Sequence, residues 1–371
     1  MTDNYPVVVY GASGYTGRLV MEHLRELGIS FIATGRNREK IEKSVAMVPG
    51  IESARYQIVA LDHTVEALTN LLAGRKVVCN TVGPFNRFGR EVVAAAYNAK
   101  VHYLDTTGEQ HWVVELMREW DEKFREIGCL IVPSMSYMYG LSEVGARFCM
   151  DTPGVDSLDM TGIAVAVPTV ASAQTILDAV RQPSVYLKDH QLVQYAGVET
   201  CDLTTPSGRV LRASQWGGTS NPVWFSRDGR VRNCKMMIAM WNQELYKKEL
   251  ELERANKVSL QWIPEEKLNP MMDAMATSIA PATPPRESRY VHRAIDVCVG
   301  TGSMVMVKST MISNGGYYST GLMQAYGAAR LCREIPRVAG FASPCEAFDH
   351  KQLMAAMESY GYAGIKVERL V

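Results

Sequence analysis

The chain has 371 residues, 47% of them hydrophobic, more than a single core of ordinary size accommodates and enough for two domains. Its 39 Lys plus Arg balance 39 Asp plus Glu, so the formal net charge is zero and no basic stripe marks a nucleic-acid partner. Eight cysteines lie scattered without a C-x-x-C pair or a His at ligand spacing, which argues against a metal module and reads as buried thiols in a reducing compartment.

The first strand, "VVVY" from Val7, begins without a charged region followed by an apolar leader, and no stretch approaches the roughly 20 apolar residues of a membrane span. A cytoplasmic protein without stable membrane insertion is therefore expected. The strand breaks into "GASGYTG" and resumes with Leu19, Val20, Leu24 and Leu27 at helical spacing; Gly28 stops that helix. "ISFIATGRN" follows as a second buried strand, completing a βαβ unit. Within that frame Gly11, Gly14 and Gly17 sit where the strand turns, where backbone approaches a pyrophosphate and where the helix packs on the sheet. The helix N-terminus offers N–H groups to an anion, and Ser13, Tyr15 and Thr16 add hydroxyls. NAD-binding versions place an acid after the second strand, whereas this chain reads Gly35-Arg36-Asn37, with Arg38 and Lys40 behind. A forked guanidinium there points to the 2′-phosphate of NADP, with Asn37 beside it.

The alternation continues through strands "YQIVALD", "KVVCNTVGPF", "KVHYLDTTGE" and "CLIVPS", with helices between them, the last a long one over about 110–127. Continuous apolar strands separated by amphipathic helices predict a doubly wound parallel α/β sheet of Rossmann type. Ligands lie at the carboxyl ends of such strands, which selects Asp62, the Thr81–Phe85 loop, the Asp105–Glu109 loop and the segment after Pro133. From about 155 to 235 short alternating bursts and turn signals read as strands, interrupted by the helix "VASAQTILDAVRQ". "NQELYKKELELERANK" reads as a helix with a solvated face, "APATPPRES" as a proline-rich loop, and "YVHRAIDVCVGTGSMVMVKSTMI" as a hairpin.

"GASGYTGRLV", "ATGRN", "VVCNTVGPFNRFGREVVAAAYNAKVHYLDTTGE" and "GYYSTGLMQAYGAARL" together resemble the saccharopine dehydrogenase-like oxidoreductases, nearest the branch of trans-acting enoyl reductases. The likeness is strong over 6–134, thin in the middle, and returns over about 290–371. The resemblance implies that Gly11, Ser13, Gly14, Tyr15, Thr16 and Gly17 hold the NADP pyrophosphate and that Arg36 faces the 2′-phosphate. It places Thr81, Val82, Gly83 and Pro84 beside the nicotinamide and its ribose, and His102–Glu109 on the hydride-transfer face. It also implies three parts: an NADP-binding Rossmann domain over 1–134, an inserted α+β substrate and dimerisation domain over 135–315, and helices over 316–371 returning to the first domain. One departure stands out. Many relatives continue the sixth strand with a "DSVPSDLG"-like segment, and this chain has "VPSMSYMYGLSEVGA".

Hydride chemistry would belong to NADP(H), leaving the protein to orient a substrate and stabilise an oxyanion. Tyr137 and Tyr139, just past the sixth strand, are the best-placed hydroxyl donors, with Tyr103 weaker. His102 and Asp105 are candidates for a proton shuttle, although Asp105 and Glu109 equally suit a helix cap near 110. Met135 and Met138 interleave those tyrosines and form a possible wall for a bulky apolar substrate. The leading expectation is an NADPH-dependent reductase of a conjugated C=C bond in an apolar, ketone-like terpenoid, steroid or polyketide-like molecule. The alternatives are a C=N, C–N or carbonyl oxidoreductase of the saccharopine dehydrogenase type and a non-catalytic NADPH-binding sensor or scaffold. No metal is expected, and a homodimer is.

Overall fold

The computed structural model describes residues 5–164, 167–205, 207–281, 286 and 288–371; residues 282–285 and 287 of the expected proline-rich loop lie outside the described residues. The chain divides into two compact units. The first comprises Met1–Thr107, Glu115–Tyr137 and Tyr317–Ala356, and the second Gly108–Val114, Met138–Gly316 and Met357–Val371.

Strand and helix alternate from the start of the described chain: β1 (Val7–Tyr10), α1 (Tyr15–Glu26), β2 (Phe31–Gly35), α2 (Arg38–Ala46), β3 (Tyr56–Ala60), α3 (Val65–Leu72), β4 (Val77–Asn80), α4 (Phe85–Ala99), β5 (His102–Asp105), α5 (Gln110–Glu119), α6 (Asp121–Glu126) and β6 (Leu130–Val132). All belong to the first unit except the first half of α5, Gln110–Val114, which goes with the second. Every residue of β1, β2, β4 and β6 is buried, which is why these strands read as unbroken apolar runs rather than alternating ones. The sheet is parallel in the order β6-β5-β4-β1-β2-β3, and the short strand Gly340–Phe341 extends it beyond β6. The order reverses beside β1, the point at which doubly wound sheets bind their ligands.

Three details differ from the sequence reading. The expected helix over 110–127 is two helices that break at Trp120, because Asp121 starts the second one and accepts the Phe341 N–H at 2.9 Å. The strand Gly340–Phe341, only two residues long, carries no periodic signal. Of the segment expected to return to the first domain, residues 357–371 instead go with the second unit, where the strand Ala363–Arg369 pairs antiparallel with Val305–Ser313.

The second unit is built on a nine-stranded mixed sheet. Its centre pairs Ser157–Ala164 parallel with Asn233–Met240 and antiparallel with Ala294–Gly302. The hairpin Ala294–Gly302 to Val305–Ser313 alternates buried and less buried residues along much of its length, as a sheet with one covered face requires. The charge-laced helix Gln243–Val258 does not present only solvated groups. Glu249 and Glu253 are buried at 9% and 3% exposure, and burial with the neighbouring Glu253 pushes the Glu249 carboxyl up to about 8.

Candidate functional site: a dinucleotide cradle in the first unit

The turn between β1 and α1 is fixed by backbone alone. The N–H groups of Gly11 and Ala12 both donate to the Thr34 carbonyl at 3.1 Å, and the Gly14 N–H returns to the Gly11 carbonyl at 2.9 Å. Gly11 has φ +95°, and a Cβ there would stand 2.5 Å from Thr81 Oγ1. A Cβ on Gly17 would strike the Gly11 carbonyl oxygen. Both positions thus demand glycine, the first for conformation and the second for the close approach of helix to turn. Gly14 is the N-cap of α1 and gives it no side-chain cap, so the first-turn N–H groups of α1 are not capped by it. This is a cradle that a side chain would fill, ending on the positive pole of a twelve-residue helix, and it fits a pyrophosphate.

The remaining cofactor candidates fall around this turn. Ser13 is exposed, with its Oγ near Gly35 at the end of β2. Tyr15 and Thr16 open α1; the Tyr15 ring lies edge-on to Tyr317 at 5.0 Å and under the Arg18 guanidinium at 5.2 Å. Arg36 is exposed at the tip of β2, as a residue reading a 2′-phosphate must be. Asn37 instead serves the helix that follows, its side chain capping α2 by accepting the Lys40 N–H at 2.9 Å. Asp62 is exposed beyond β3. Thr81 donates its hydroxyl to the Tyr10 carbonyl at 3.0 Å, fastening the loop after β4 to the glycine turn. Val82 gives its N–H to Asn80 Oδ1 at 3.0 Å, and the Gly83–Pro84 bond is cis.

A chain of polar side chains runs along the carboxyl edge from that loop. Asn80 donates to the Tyr103 hydroxyl at 3.1 Å, and Tyr103 donates to Asp105 Oδ2 at 3.0 Å. Asp105 Oδ1 accepts the N–H groups of Thr107 at 3.0 Å and Ser134 at 2.8 Å. The Asp105 carbonyl accepts from Met135 N at 2.9 Å and from Gln324 Nε2 at 2.6 Å. Asp105 is fully buried, and Ser134 holds a φ of +53° that the Asp105 bond pins. This network shapes the loops after β4, β5 and β6. In place of the expected mobile proton carrier, Asp105 is a carboxylate already committed through both oxygens.

His102 is a correction. It is the first residue of β5, paired beside Val77 at the start of β4, so it lies at the amino edge, opposite the glycine turn. Its Nδ1 accepts the Leu130 N–H at 2.9 Å, and burial, reinforced by the Lys76 charge, pushes the ring down to about 4. It therefore stays neutral at physiological pH and lies at the end of the sheet away from the glycine turn. Of the two tyrosines, Tyr137 ends the first unit, its backbone N–H bonded to Thr320 Oγ1 at 3.1 Å. Tyr139 belongs to the second unit, donates to the Gly218 carbonyl at 3.4 Å, and has its hydroxyl pushed well up by burial. Both tyrosines lie in a π-helical turn over Tyr137–Leu141, an irregularity common near functional sites. Sequence reasoning missed the roles of Asn80 and Tyr103, which contact across strands and carry no local motif.

The glycine turn and the helix it opens define a dinucleotide-binding domain. Comparison agrees: residues 7–132 match the saccharopine dehydrogenase NADP-binding domain, and NADP(H) is its cofactor. Residues 140–367 match a family of unknown function (DUF5938), and the chain belongs to that family. It is similar to a "Lipid droplet localized protein" of Caenorhabditis elegans, 30% identical over 39% of this chain and 36% of that protein. A "Trans-acting enoyl reductase" of Mycobacterium bovis is 35% identical over 28% of this chain and 26% of its own length. A "Probable mitochondrial saccharopine dehydrogenase-like oxidoreductase" of Arabidopsis thaliana is 30% identical over 39% of this chain and 34% of its own. The match thus spans about a quarter to a third of the length of these relatives. Among the described residues no helix is long and apolar enough to cross a membrane.

Proposed function

We propose that the protein is an NADPH-dependent reductase that acts on a conjugated C=C bond of an apolar, ketone-like substrate. The observation that carries the reading is the NADP cradle followed, beyond β6, by a buried segment of Ser, Met and Tyr without an acid, Ser134–Tyr137. The likeness of 108 residues to a trans-acting enoyl reductase supports the same reaction class. Bound NADPH supplies the hydride. The chain's own residues hold the pyrophosphate at Gly11–Gly17, read the 2′-phosphate at Arg36, and fix the loop from Thr81 to Pro84 through the Asn80–Tyr103–Asp105 network. Hydride delivery to an enone leaves charge on its oxygen, and a hydroxyl donor stabilises it. Tyr137, the last residue of the unit that carries the cradle, takes that role.

A polycarboxylate amine substrate of the saccharopine type is less well served. It calls for converging arginines, yet Arg181 is paired with Asp178 at 3.3 Å and Arg212 with Asp202 at 2.8 Å. The protein is further proposed to be cytoplasmic and homodimeric.

The test is NADPH oxidation against apolar enones, saturated ketones and cyclic imines, with products identified. A saturated ketone from an enone is expected, and Tyr137→Phe should lower kcat by about 10²-fold, in the range of one lost proton donor, with little change in KM. Amine products would move the assignment to C=N reduction, and NADPH binding without turnover would favour the sensor.

A further inference from the structure

The carboxyl edge of the first unit carries a second polar chain, on the opposite side of the glycine turn from Asp105. Tyr10 closes β1 just before Gly11, and its hydroxyl is hydrogen-bonded to His63 Nδ1 at 2.6 Å. His63 follows β3, with Nε2 3.3 Å from Glu91 Oε2 on α4, within ion-pair distance though not in hydrogen-bond geometry. The imidazole is clamped: it stacks on Tyr10 at 5.8 Å and 11°, and Phe88 meets it edge-on at 5.8 Å and 80°. Tyr10 is 2% exposed, while the side chains of His63 and Glu91 are 18% and 38% exposed, so the line runs from the interior to the surface.

Its placement gives it meaning. Gly35, the residue before Arg36, pairs with Ala60 at the end of β3, three residues before His63. In a doubly wound sheet the ribose of the adenosine half lies at the tip of β2, so His63 stands on the adenosine side of the cradle and the Asp105 network on the other. Arg36 and Glu91 both act on the Tyr10 hydroxyl: burial pushes it up to about 12, the Arg36 charge pulls it down and the Glu91 charge pushes it up. A carboxylate that shares a neighbourhood with the guanidinium reading a phosphate is a liability. Left loose, it competes for Arg36 and repels the dianion.

We propose that His63 is a specificity-determining positioning residue for NADP. Clamped between Tyr10 and Phe88, it holds the Glu91 carboxylate and keeps it from opposing the 2′-phosphate at Arg36. The inference rests on the NADP-binding reading of the first unit and is independent of what the enzyme reduces.

The experiment is fluorescence titration of the full chain with NADPH and NADH, without substrate. His63→Ala should lower the preference for NADPH over NADH about tenfold while NADH binding changes less than twofold. The double variant with Glu91→Gln should restore most of that preference, because it removes the charge that His63 held; a merely structural histidine would not be rescued by that change. Equal losses for both nucleotides, an unchanged preference in His63→Ala, or no recovery in the double variant would each overturn the proposal. A wild type that binds both nucleotides equally would instead overturn the 2′-phosphate reading of Arg36, and this inference with it.

Discussion

Single residues in the cradle carry sharply different kinds of constraint. Gly17 is required by space, since any side chain meets the Gly11 carbonyl, whereas Arg36 is exposed at a strand tip and its proposed role depends on charge alone. Reversing its charge should therefore leave the fold intact. Arg36→Asp is expected to weaken NADPH binding by 30-fold or more, about 2 kcal/mol for a lost charge-assisted phosphate contact, and to leave NADH binding unchanged or improved. Parallel titrations decide it, and equal losses would remove Arg36 from the site. The glycine turn was legible because turn conformation is a local property of a few consecutive residues, and the proposal for Arg36 starts from phosphate chemistry that is equally local. His63 was not, because its partners Tyr10 and Glu91 lie 53 and 28 positions away in a sequence without periodic signal between them. Asn37 suits a 2′-phosphate and a helix cap equally as a residue type, and only the 2.9 Å bond to the Lys40 N–H shows the cap in use.

At the scale of elements, the parallel strands were readable because burial on both faces leaves an unmistakable apolar run. Which end of a strand faces the ligand follows from chain direction, and that is where the expectation for His102 failed. At the amino end of β5 its ring serves the fold by accepting the Leu130 N–H. Because the folded state holds the ring down to about 4, while an unfolded histidine takes a proton near 6.5, stability is fully present above about pH 6.5 and is lost as pH falls toward 4. The loss amounts to about 3 kcal/mol. His102→Asn keeps an acceptor for Leu130 but cannot take that proton. Its urea midpoint should fall less than that of the wild type between pH 7 and pH 4.5, and parallel slopes would show that other groups set the acid limb. The two-residue strand Gly340–Phe341 and the break at Trp120 escaped the sequence because each depends on the other, through Asp121.

For the whole molecule, the chain divides into two compact units, and the nucleotide cradle lies in the first. NADPH at about 100 times its Kd should add ~2.7 kcal/mol of stability by mass action. Hydrogen exchange should show that gain in residues 7–107 and 317–356 and leave the strands Ser157–Ala164 and Ala294–Gly302 little changed; uniform protection would mean that the units open together. The division of the chain also sets an order of events at the ribosome. Residues up to Tyr137 emerge first, but their sheet gains its last strand, Gly340–Phe341, only after about 180 residues of the other unit have been made. At 5–20 residues per second this leaves β6 an open, wholly apolar edge for roughly ten to forty seconds. Newly made chains are thus most exposed to misassembly in that interval, and a chaperone that shields the β6 edge would be needed most before residue 340 appears.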